Sequence, residues 1–570
     1  MSIRRTSPGA LLLAAALAAR LAPAARAQAT AAGTRFEVSI SPAAHAGPVT
    51  GRLIVAVAKT ATPEPRLAIS PEGPALFGVD LQALAPDQPA VVDQSADSYP
   101  VELNDLPPGD YSVQAVVNVY EQLHRADGHT IWAHMNDGQV EFFNFAAGNL
   151  YSDVQQVHIG SGGTVRLAVT HVIPAAPRPA DTEWLKHVRI QSQKLTQFWG
   201  RPVYINASVL LPRGYAEHPN TYYPSVFPLG HGGVPFSFRT TPPPARRGAA
   251  PTEIRRGAHI DPVSGLENGY DFYTSWTSDG FPRVVAITLE QATPYFPDSY
   301  SVNSANNGPY GDAIVQEVIP YLEQHFRLIP RPYARQIEGA STSGWQTLAL
   351  MLQHPDFFGA AWVLQPDPID FRHYQQTNIY ADSNAFTLPT GPFTSLERPF
   401  QRTTTGQVVL TTRQLSRFEA VLGSHGRSGY QLEAWEAVYG PVGADGYPVP
   451  LWDKRTGAID HTVASYMRDH GFDLRDYAQR NWPTLGPRLQ HKLHFFAGDM
   501  DNYYLNLAVY DFEDFLKQTT SPHADVDFTY GRPMKGHGWH SFTWAEMVRK
   551  MAAAVKAGAP RGESTSGWNY

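Results

Sequence analysis

The sequence predicts an α/β protein in which a mostly parallel sheet, covered by helices on both faces, follows a small all-β domain. Three observations support this fold class. Apolar residues alternate with period two over residues 34–173, strand and helix patterns alternate over residues 194–560, and a Pro-rich segment at residues 174–181 separates the two regions. With 570 residues the chain is too long for one compact core, so two or three domains are expected.

Composition narrows the classes of function. Because 43% of the residues are hydrophobic, the chain is expected to fold rather than remain disordered. A net charge of −7 is modest for this length and disfavours a nucleic-acid partner. The chain has no Cys, which excludes disulfides, thiolate metal sites and a cysteine nucleophile. We predict no metal ion and no other cofactor.

The first 29 residues have the pattern of a cleaved secretory signal. Arg4 and Arg5 precede a short apolar stretch at residues 11–18, and a small-x-small cleavage motif follows at residues 25–27. A membrane anchor is the alternative, but the apolar stretch is short and Arg20 interrupts it. We therefore predict a secreted or periplasmic protein, and no later stretch is long enough to predict a membrane span.

The segment 34–173 is predicted to form an immunoglobulin-like antiparallel sandwich. Residues 36–40 alternate, residues 53–57 are apolar on both faces, and residues 111–119 give the clearest alternating run, just after a Pro/Gly turn. A structural domain that packs on the next one is favoured over a carbohydrate- or partner-binding module. Residues 174–193 are predicted to be a linker.

Residues 194–560 are predicted to form the α/β domain. Successive strand and helix patterns lie at residues 203–211, 223–229, 283–289, 311–326, 335–338, 346–353, 359–364 and 492–496. Sites in such sheets form at the carboxyl ends of the strands. The stretch 371–489 is too long for one ordinary connection, and we interpret it as a partly helical insertion over the site.

Residues 339–344, Gly-Ala-Ser-Thr-Ser-Gly, lie between a predicted strand and a predicted helix. This is the context of a nucleophile elbow, in which a tight turn lifts a Ser hydroxyl above the sheet and small neighbours avoid clashes. The candidate nucleophile is Ser341. Ser343 stands where the G-x-S-x-G pattern has its second Gly, and Ser343 is the competing nucleophile.

A Ser hydroxyl needs a base, and the base needs an orienting acid. Asp499 and Asp501 follow the strand at residues 492–496, and His537 and His540 follow the next apolar stretch. Each is a candidate at this point. The two His residues could also bind zinc, but the Glu of H-E-x-x-H is absent, which disfavours a metal site.

Two further features suggest parts of a site. The turn Leu-Gly-His-Gly-Gly at residues 229–233 follows a strand, and its glycines would let backbone N–H groups approach a substrate closely. Aromatic residues crowd the loops around the predicted site, and His231, Trp345 and Tyr310 are the candidate pocket residues. Scattered core aromatics are the alternative interpretation.

These motifs together resemble the esterase D, antigen 85 and enterochelin-esterase group of α/β-hydrolases. The matching segments are 223–224 with 231–232, 310–321, 326–327, 335–341, 354–358, 498–505 and 540–544. The resemblance extends over residues 194–555 but does not cover the insertion. It implies an α/β-hydrolase fold.

The resemblance also implies roles for particular residues. The implied catalytic triad is Ser341, Asp501 and His540, and the implied oxyanion donors are the backbone N–H groups of Gly233 and Thr342. Asp501 is thereby favoured over Asp499, and His540 over His537.

The predicted function is a secreted serine ester hydrolase that forms an acyl-enzyme. Its substrate would be a small-molecule, carbohydrate-linked or siderophore-type ester. The alternatives are an inactive secreted binding protein on a hydrolase scaffold, which the departure at Ser343 suggests, and a serine peptidase or acyltransferase of the same fold.

Overall fold

The computed structural model describes residues 33–135, 141–160, 162–243 and 267–570. The predicted signal at residues 1–29 lies outside these ranges. Within them, no helix combines the length and the apolar character that crossing a bilayer requires.

The N-terminal region forms a single large sheet. Its strands are β1 (Thr34–Ile40), β2 (Val49–Ala58), β3 (Ala75–Leu84), β4 (Ala90–Val92), β5 (Asp97–Tyr99), β6 (Gly109–Val119), β7 (Glu121–His124), β8 (Thr130–Ala133), β9 (Leu150–Ser152), β10 (Gln155–Ile159) and β11 (Gly163–Val172). The order is β4-β1-β11-β9-β6-β2-β3-β5, with β10 also on β6, while β7 and β8 form a separate hairpin. We call this region the N-terminal sheet.

The structure does not confirm the predicted two-sheet sandwich. The short strand β9 pairs with both β11 and β6, so it joins strands that a sandwich would divide between two sheets. In addition, β1 and β11 pair in parallel, whereas the sequence predicts antiparallel pairing throughout.

Strand β2 is apolar on both faces because each face is covered. Leu53, Val55 and Val57 lie in the core of the N-terminal sheet. Ile54 and Ala56 point to the other side and lie in the large core shared with the rest of the chain. The alternation of side chains along a strand therefore places two different interiors on either side of β2.

Arg52 provides a polar link in this interface. Its guanidinium is almost completely buried and donates to the backbone carbonyls of Ala420 and Val421, at 2.9 and 3.0 Å. It also forms ion pairs with Asp80 and Asp97 of its own sheet. The guanidinium thus joins the N-terminal sheet to a helix end more than 360 residues away in the chain.

The rest of the chain is built around a second sheet, here called the central sheet. The remaining strands are β12 (Leu185–Ser192), β13 (Val203–Leu210), β14 (Ser225–Pro228), β15 (Val285–Glu290), β16 (Asn303–Ser304), β17 (Gly308–Pro309), β18 (Arg335–Ser341), β19 (Ala360–Pro366), β20 (Thr387–Gly391), β21 (Thr394–Glu397), β22 (Pro399–Arg402), β23 (Val408–Thr411), β24 (Leu493–Gly498) and β25 (Val526–Gly531). The order of the central sheet is β12-β13-β15-β14-β18-β19-β24-β25.

Most neighbours in the central sheet are parallel, as the sequence predicts. The antiparallel pairs are β12 with β13 and β13 with β15, and every pair from β15 onward is parallel. Strand β12 lies within the segment predicted as a linker, and it pairs with β13 at the edge of the central sheet. Its polar, half-buried pattern explains why it resembles a linker in sequence.

Helices cover both faces of the central sheet, as predicted. The helices are α1 (Gln193–Trp199), α2 (Gly269–Trp276), α3 (Tyr310–Ala313), α4 (Ile319–His325), α5 (Thr342–Gln353), α6 (Thr412–Leu422), α7 (Gln431–Tyr439), α8 (His461–Asp469), α9 (Leu474–Leu489), α10 (Asn506–Lys517) and α11 (Trp544–Gly558). Along β19, Trp362 and Leu364 pack in a core with α2 and α11, whereas Ala361 and Val363 pack in the core that contains α5.

The segment 371–489 follows β19 and precedes β24. It contains the hairpins β20–β21 and β22–β23 and the helices α6 to α9. Its interior includes carboxylates: Glu419 accepts hydrogen bonds from the N–H groups of Leu432 and Glu433 at the start of α7. We call this segment the insertion.

Candidate active site

Ser341 occupies a strained turn between β18 and α5. Its backbone has φ 61° and ψ −123°, a positive φ that is rare for a residue other than Gly. Close packing explains its glycine neighbours: a Cβ on Gly339 would lie 2.4 Å from the Ser343 carbonyl oxygen, and one on Gly344 would lie 2.6 Å from that of Leu364. The turn therefore has the geometry of a nucleophile elbow.

Ser343, the competing nucleophile, has a different environment. It lies in the first turn of α5 and is 4% exposed. Ser341 lines a cavity, whereas Ser343 is absent from the lining of that cavity. Accessibility thus favours Ser341.

Asp501, just past β24, binds the imidazole of His537. The side chain of Asp501 is fully buried, and its Oδ2 lies 2.7 Å from His537 Nδ1. Its Oδ1 accepts the backbone N–H groups of Tyr503 and Leu505, at 2.8 and 3.2 Å. The N–H of His537 donates to Asn502 Oδ1 at 2.8 Å. The acid is therefore held by its own loop, and the His residue is tied to the same loop.

The pKa of His537 follows from these neighbours. Burial by itself would lower the pKa of the imidazole, but the carboxylate of Asp501, aided by that of Asp367, outweighs it. The net result is a pKa raised above the ordinary value of 6.5.

His540 occupies another position. Its Nδ1 is 2.6 Å from the backbone carbonyl oxygen of Phe542. Its ring packs against Phe542 and Trp544, with centroids 4.6 and 4.7 Å apart. The Asp501 carboxylate accepts hydrogen bonds from the imidazole of His537 and from the backbone N–H groups of Tyr503 and Leu505. The structure thus brings the imidazole of His537 to the Asp501 carboxylate, whereas the sequence predicts that His540 takes this place.

The structure also shows the position of Asp499 and bears on the alternative of a metal site. Asp499 Oδ1 accepts the backbone N–H of Lys535 at 2.8 Å, so Asp499 shapes the loop that leads to His537. In the described part of the chain, no group of three or more His, Cys, Asp or Glu residues is arranged to hold a metal ion.

Ser341 and His537 line one cavity of about 560 Å³. The other lining residues of the central-sheet region are His231, Phe296, Asp367, Tyr503 and Leu505. The insertion contributes Gln375, Phe400, Gln401, Leu410, Leu415, Tyr430, Gln431 and Trp435. The N-terminal sheet region contributes Ile69, Ser70, Pro71, Glu72 and Phe142. All three parts of the molecule therefore enclose the candidate site.

Asp367 is a member of the site that the sequence analysis missed. It directly follows β19, it is 3% exposed, and its backbone N–H donates to the Ser341 carbonyl oxygen at 3.0 Å. Its Oδ2 accepts hydrogen bonds from Tyr300 Oη (2.7 Å), Trp435 Nε1 (3.0 Å), Gln431 Nε2 (3.1 Å) and Thr342 Oγ1 (3.2 Å). Burial raises the pKa of Asp367 despite these donors. Its position at the carboxyl end of a central strand is the signal that could have identified it.

The two predicted oxyanion donors differ in their surroundings. Thr342 is the first residue of α5, where backbone N–H groups have no partner within the helix. The N–H of Gly233 is directed at Glu290 Oε1, 3.4 Å away. Use of Gly233 as a donor would therefore require this long hydrogen bond to be exchanged.

One of the three predicted pocket residues lines the cavity. His231 does so, with its ring 5.5 Å from that of Phe296. Trp345 is fully buried and packs against Tyr439 at 4.9 Å. Tyr310 is also fully buried, and its hydroxyl donates to a backbone carbonyl. Trp345 and Tyr310 therefore belong to the core, because their helices turn these faces toward the interior.

A protein-family model matches part of this chain. Residues 264–385 match the model of the family described as "Putative esterase". The predicted resemblance to the esterase group of α/β-hydrolases is confirmed. The matched segment includes the Ser341 turn and Asp367. No curated protein sequence matches the chain.

Several solved structures are similar to this one. A ferulic acid esterase has 14% identity, with 66% of this chain and 99% of that chain covered and a TM-score of 0.30. The S-formylglutathione hydrolase of Agrobacterium tumefaciens has 12% identity, coverages of 66% and 96%, and a TM-score of 0.31. MPT51 of Mycobacterium tuberculosis has 13% identity, coverages of 67% and 99%, and a TM-score of 0.33.

Proposed function

We propose that this protein is a serine ester hydrolase whose triad is Ser341, His537 and Asp501. One observation carries the proposal: His537 Nδ1 is hydrogen-bonded to buried Asp501 at 2.7 Å, and the same His residue lines one cavity with Ser341. The strained backbone of Ser341 supports its role as nucleophile.

The proposed reaction has two steps. The Ser341 oxygen attacks the ester carbonyl carbon while His537 Nε2 takes the hydroxyl proton, and Asp501 holds the Nδ1–H and stabilises the imidazolium. The proton then passes to the leaving alcohol as the C–O bond breaks, which leaves an acyl-enzyme. Water repeats the sequence and releases the acid.

The Ser341 hydroxyl must turn before this reaction. In the structure its hydrogen bond is a long one, 3.5 Å, to Asp367 Oδ1. Catalytic hydrogen bonds are often loose in unliganded sites and tighten when substrate binds. We propose that the N–H groups of Thr342 and Gly233 stabilise the oxyanion, with Gly233 released from Glu290.

Ser341→Ala tests the assignment. With p-nitrophenyl acetate, we expect turnover to fall at least 1,000-fold, on the order of the loss when a triad member is removed, and labelling by a fluorophosphonate to disappear. Ser343→Ala is the matched control and should retain both activities. Loss in Ser343→Ala with retention in Ser341→Ala would contradict the assignment. A folded wild-type protein that neither turns over esters nor reacts with the probe would favour the inactive binding protein.

We further propose that the protein is secreted. The pattern of residues 1–29 supports this, because a charged start, a short apolar stretch and a small-residue cleavage motif are typical of an export signal. A shorter mature N-terminus in the exported protein, measured by mass spectrometry, would test it.

A further inference from the structure

The Asp367 carboxylate presents its two oxygens to different surroundings. Oδ2 accepts all four of the side-chain hydrogen bonds described above, from Tyr300, Trp435, Gln431 and Thr342. Among the described residues, the donor to Oδ1 is the Ser341 hydroxyl, at 3.5 Å. A carboxylate oxygen can accept more than one hydrogen bond, so Oδ1 retains acceptor capacity toward the cavity.

The four donors keep Oδ1 beside the nucleophile. Rotation of the carboxylate would break the hydrogen bonds to Oδ2, and unmade hydrogen bonds are costly around a side chain that is only 3% exposed. When Ser341 turns toward His537 to react, Oδ1 loses its protein donor. A buried acceptor without a donor is unfavourable, so a donor on the substrate would be selected at this point.

The charged side chains that line the cavity also favour a hydrogen-bond donor on the substrate. Its lining contains the carboxylates of Glu72 and Asp367 and, among the described residues, neither Lys nor Arg. A carboxylate on the substrate would find two further acceptors there, whereas a hydroxyl or an ammonium group could donate to them.

We propose, resting on the ester hydrolase function above, that the substrate is an ester with a hydrogen-bond donor close to its reacting carbonyl, and that Asp367 Oδ1 binds this donor. Asp367 is then a specificity-determining residue that touches the substrate. The donor is a hydroxyl group or an ammonium group.

A panel of butanoate esters tests the preference in the wild-type protein. The alcohol parts would be propyl, 2-hydroxyethyl, 2-(dimethylammonio)ethyl and carboxymethyl, and methyl 3-hydroxybutanoate with methyl butanoate would place the hydroxyl on the acyl side. Hydrolysis would be followed by titration at constant pH. We expect kcat/KM for at least one donor-bearing ester to exceed that of its unsubstituted partner by roughly tenfold or more. We expect the carboxymethyl ester to be the poorest substrate.

Asp367→Asn should remove or reverse the preference. The four donors require an acceptor at the Oδ2 position, so the amide oxygen would take that place and the NH₂ group would face the cavity. The substitution would thereby replace the hydrogen-bond acceptor Oδ1 that faces the cavity by a hydrogen-bond donor. Asp370→Asn is the matched control, because Asp370 is also buried but pairs with Arg372 and does not line the cavity.

The outcomes separate the two proposals. Equal kcat/KM for substituted and unsubstituted esters in an active, probe-labelled wild-type protein would overturn the role of Asp367 and leave the hydrolase proposal intact. An unchanged preference in folded Asp367→Asn would do the same. Absence of both turnover and labelling in the folded wild-type protein would overturn both proposals.

Discussion

Replacing His537 and His540 by Ala, one at a time, separates the base from its neighbour three residues away. His537 is held by Asp501 at 2.7 Å in the cavity of Ser341, whereas His540 is hydrogen-bonded to a backbone carbonyl and packs against the rings of Phe542 and Trp544. His537→Ala should therefore affect turnover, and His540→Ala should affect the free energy of unfolding.

The magnitudes follow from the contacts. Loss of the base in a Ser-His-Asp triad lowers kcat by about 10,000-fold or more. Asp501 would keep its two backbone donors in His537→Ala, so we expect that variant to lose only about 1–2 kcal/mol of stability. His540→Ala loses a hydrogen bond and the packing of a ring that is 4% exposed. Together these losses are worth about 2–4 kcal/mol.

The assay combines p-nitrophenyl acetate turnover with urea denaturation, at a temperature where both variants are folded. We expect His537→Ala to be folded and inactive, and His540→Ala to retain turnover within roughly tenfold of wild type, since a group outside the triad adds no base, while unfolding at lower urea. The opposite result, with folded His540→Ala inactive and His537→Ala active, would refute the reasoning.

Two further predictions concern pH. Because the pKa of His537 is raised above 6.5, kcat/KM of the wild-type protein should rise with pH through a midpoint above 6.5. Asp501→Asn should move this midpoint to lower pH and lower kcat by about 10,000-fold. A pH–rate profile of both proteins measures the midpoint and kcat. Burial raises the pKa of Glu338 to about 8 from an ordinary 4.5, so folding takes up a proton between these values and the wild-type protein loses stability as pH rises through that interval. Glu338→Gln should therefore gain roughly 2–5 kcal/mol over wild type at pH 9 and far less at pH 5, measured by denaturation, and a difference that is independent of pH would contradict this.

The elbow was predictable because its cause is local. A strand, a tight turn of small residues and a helix are all visible in the sequence around Ser341, and the parallel order of the central strands follows from the same alternation. Our proposed choice of His537 over His540 does not rest on a local sequence pattern. It depends on the hydrogen bonds that Asp499 and Asn502 make to a loop about 35 residues later, and no periodic pattern encodes them.

Other differences between the sequence-based predictions and the structure also arise from contacts between residues that are distant in the chain. The three-residue strand β9 is too short to give a period, yet its pairing decides that the N-terminal strands form one sheet. Trp345 and Tyr310 resemble pocket residues in sequence because an aromatic side chain fits a core and a binding site equally well. Asp367 belongs to no motif, and its environment comes from four residues scattered over more than 130 positions.

The two-sided covering of β2 makes the N-terminal sheet and the rest of the chain mutually dependent. Cutting the chain between these two parts would expose Ile54 and Ala56 to water on one piece and their apolar contacts on the other. It would also remove residues 69–72 from the lining of the cavity that contains Ser341. We therefore expect the N-terminal sheet to be a structural part of the folded protein rather than a separable accessory.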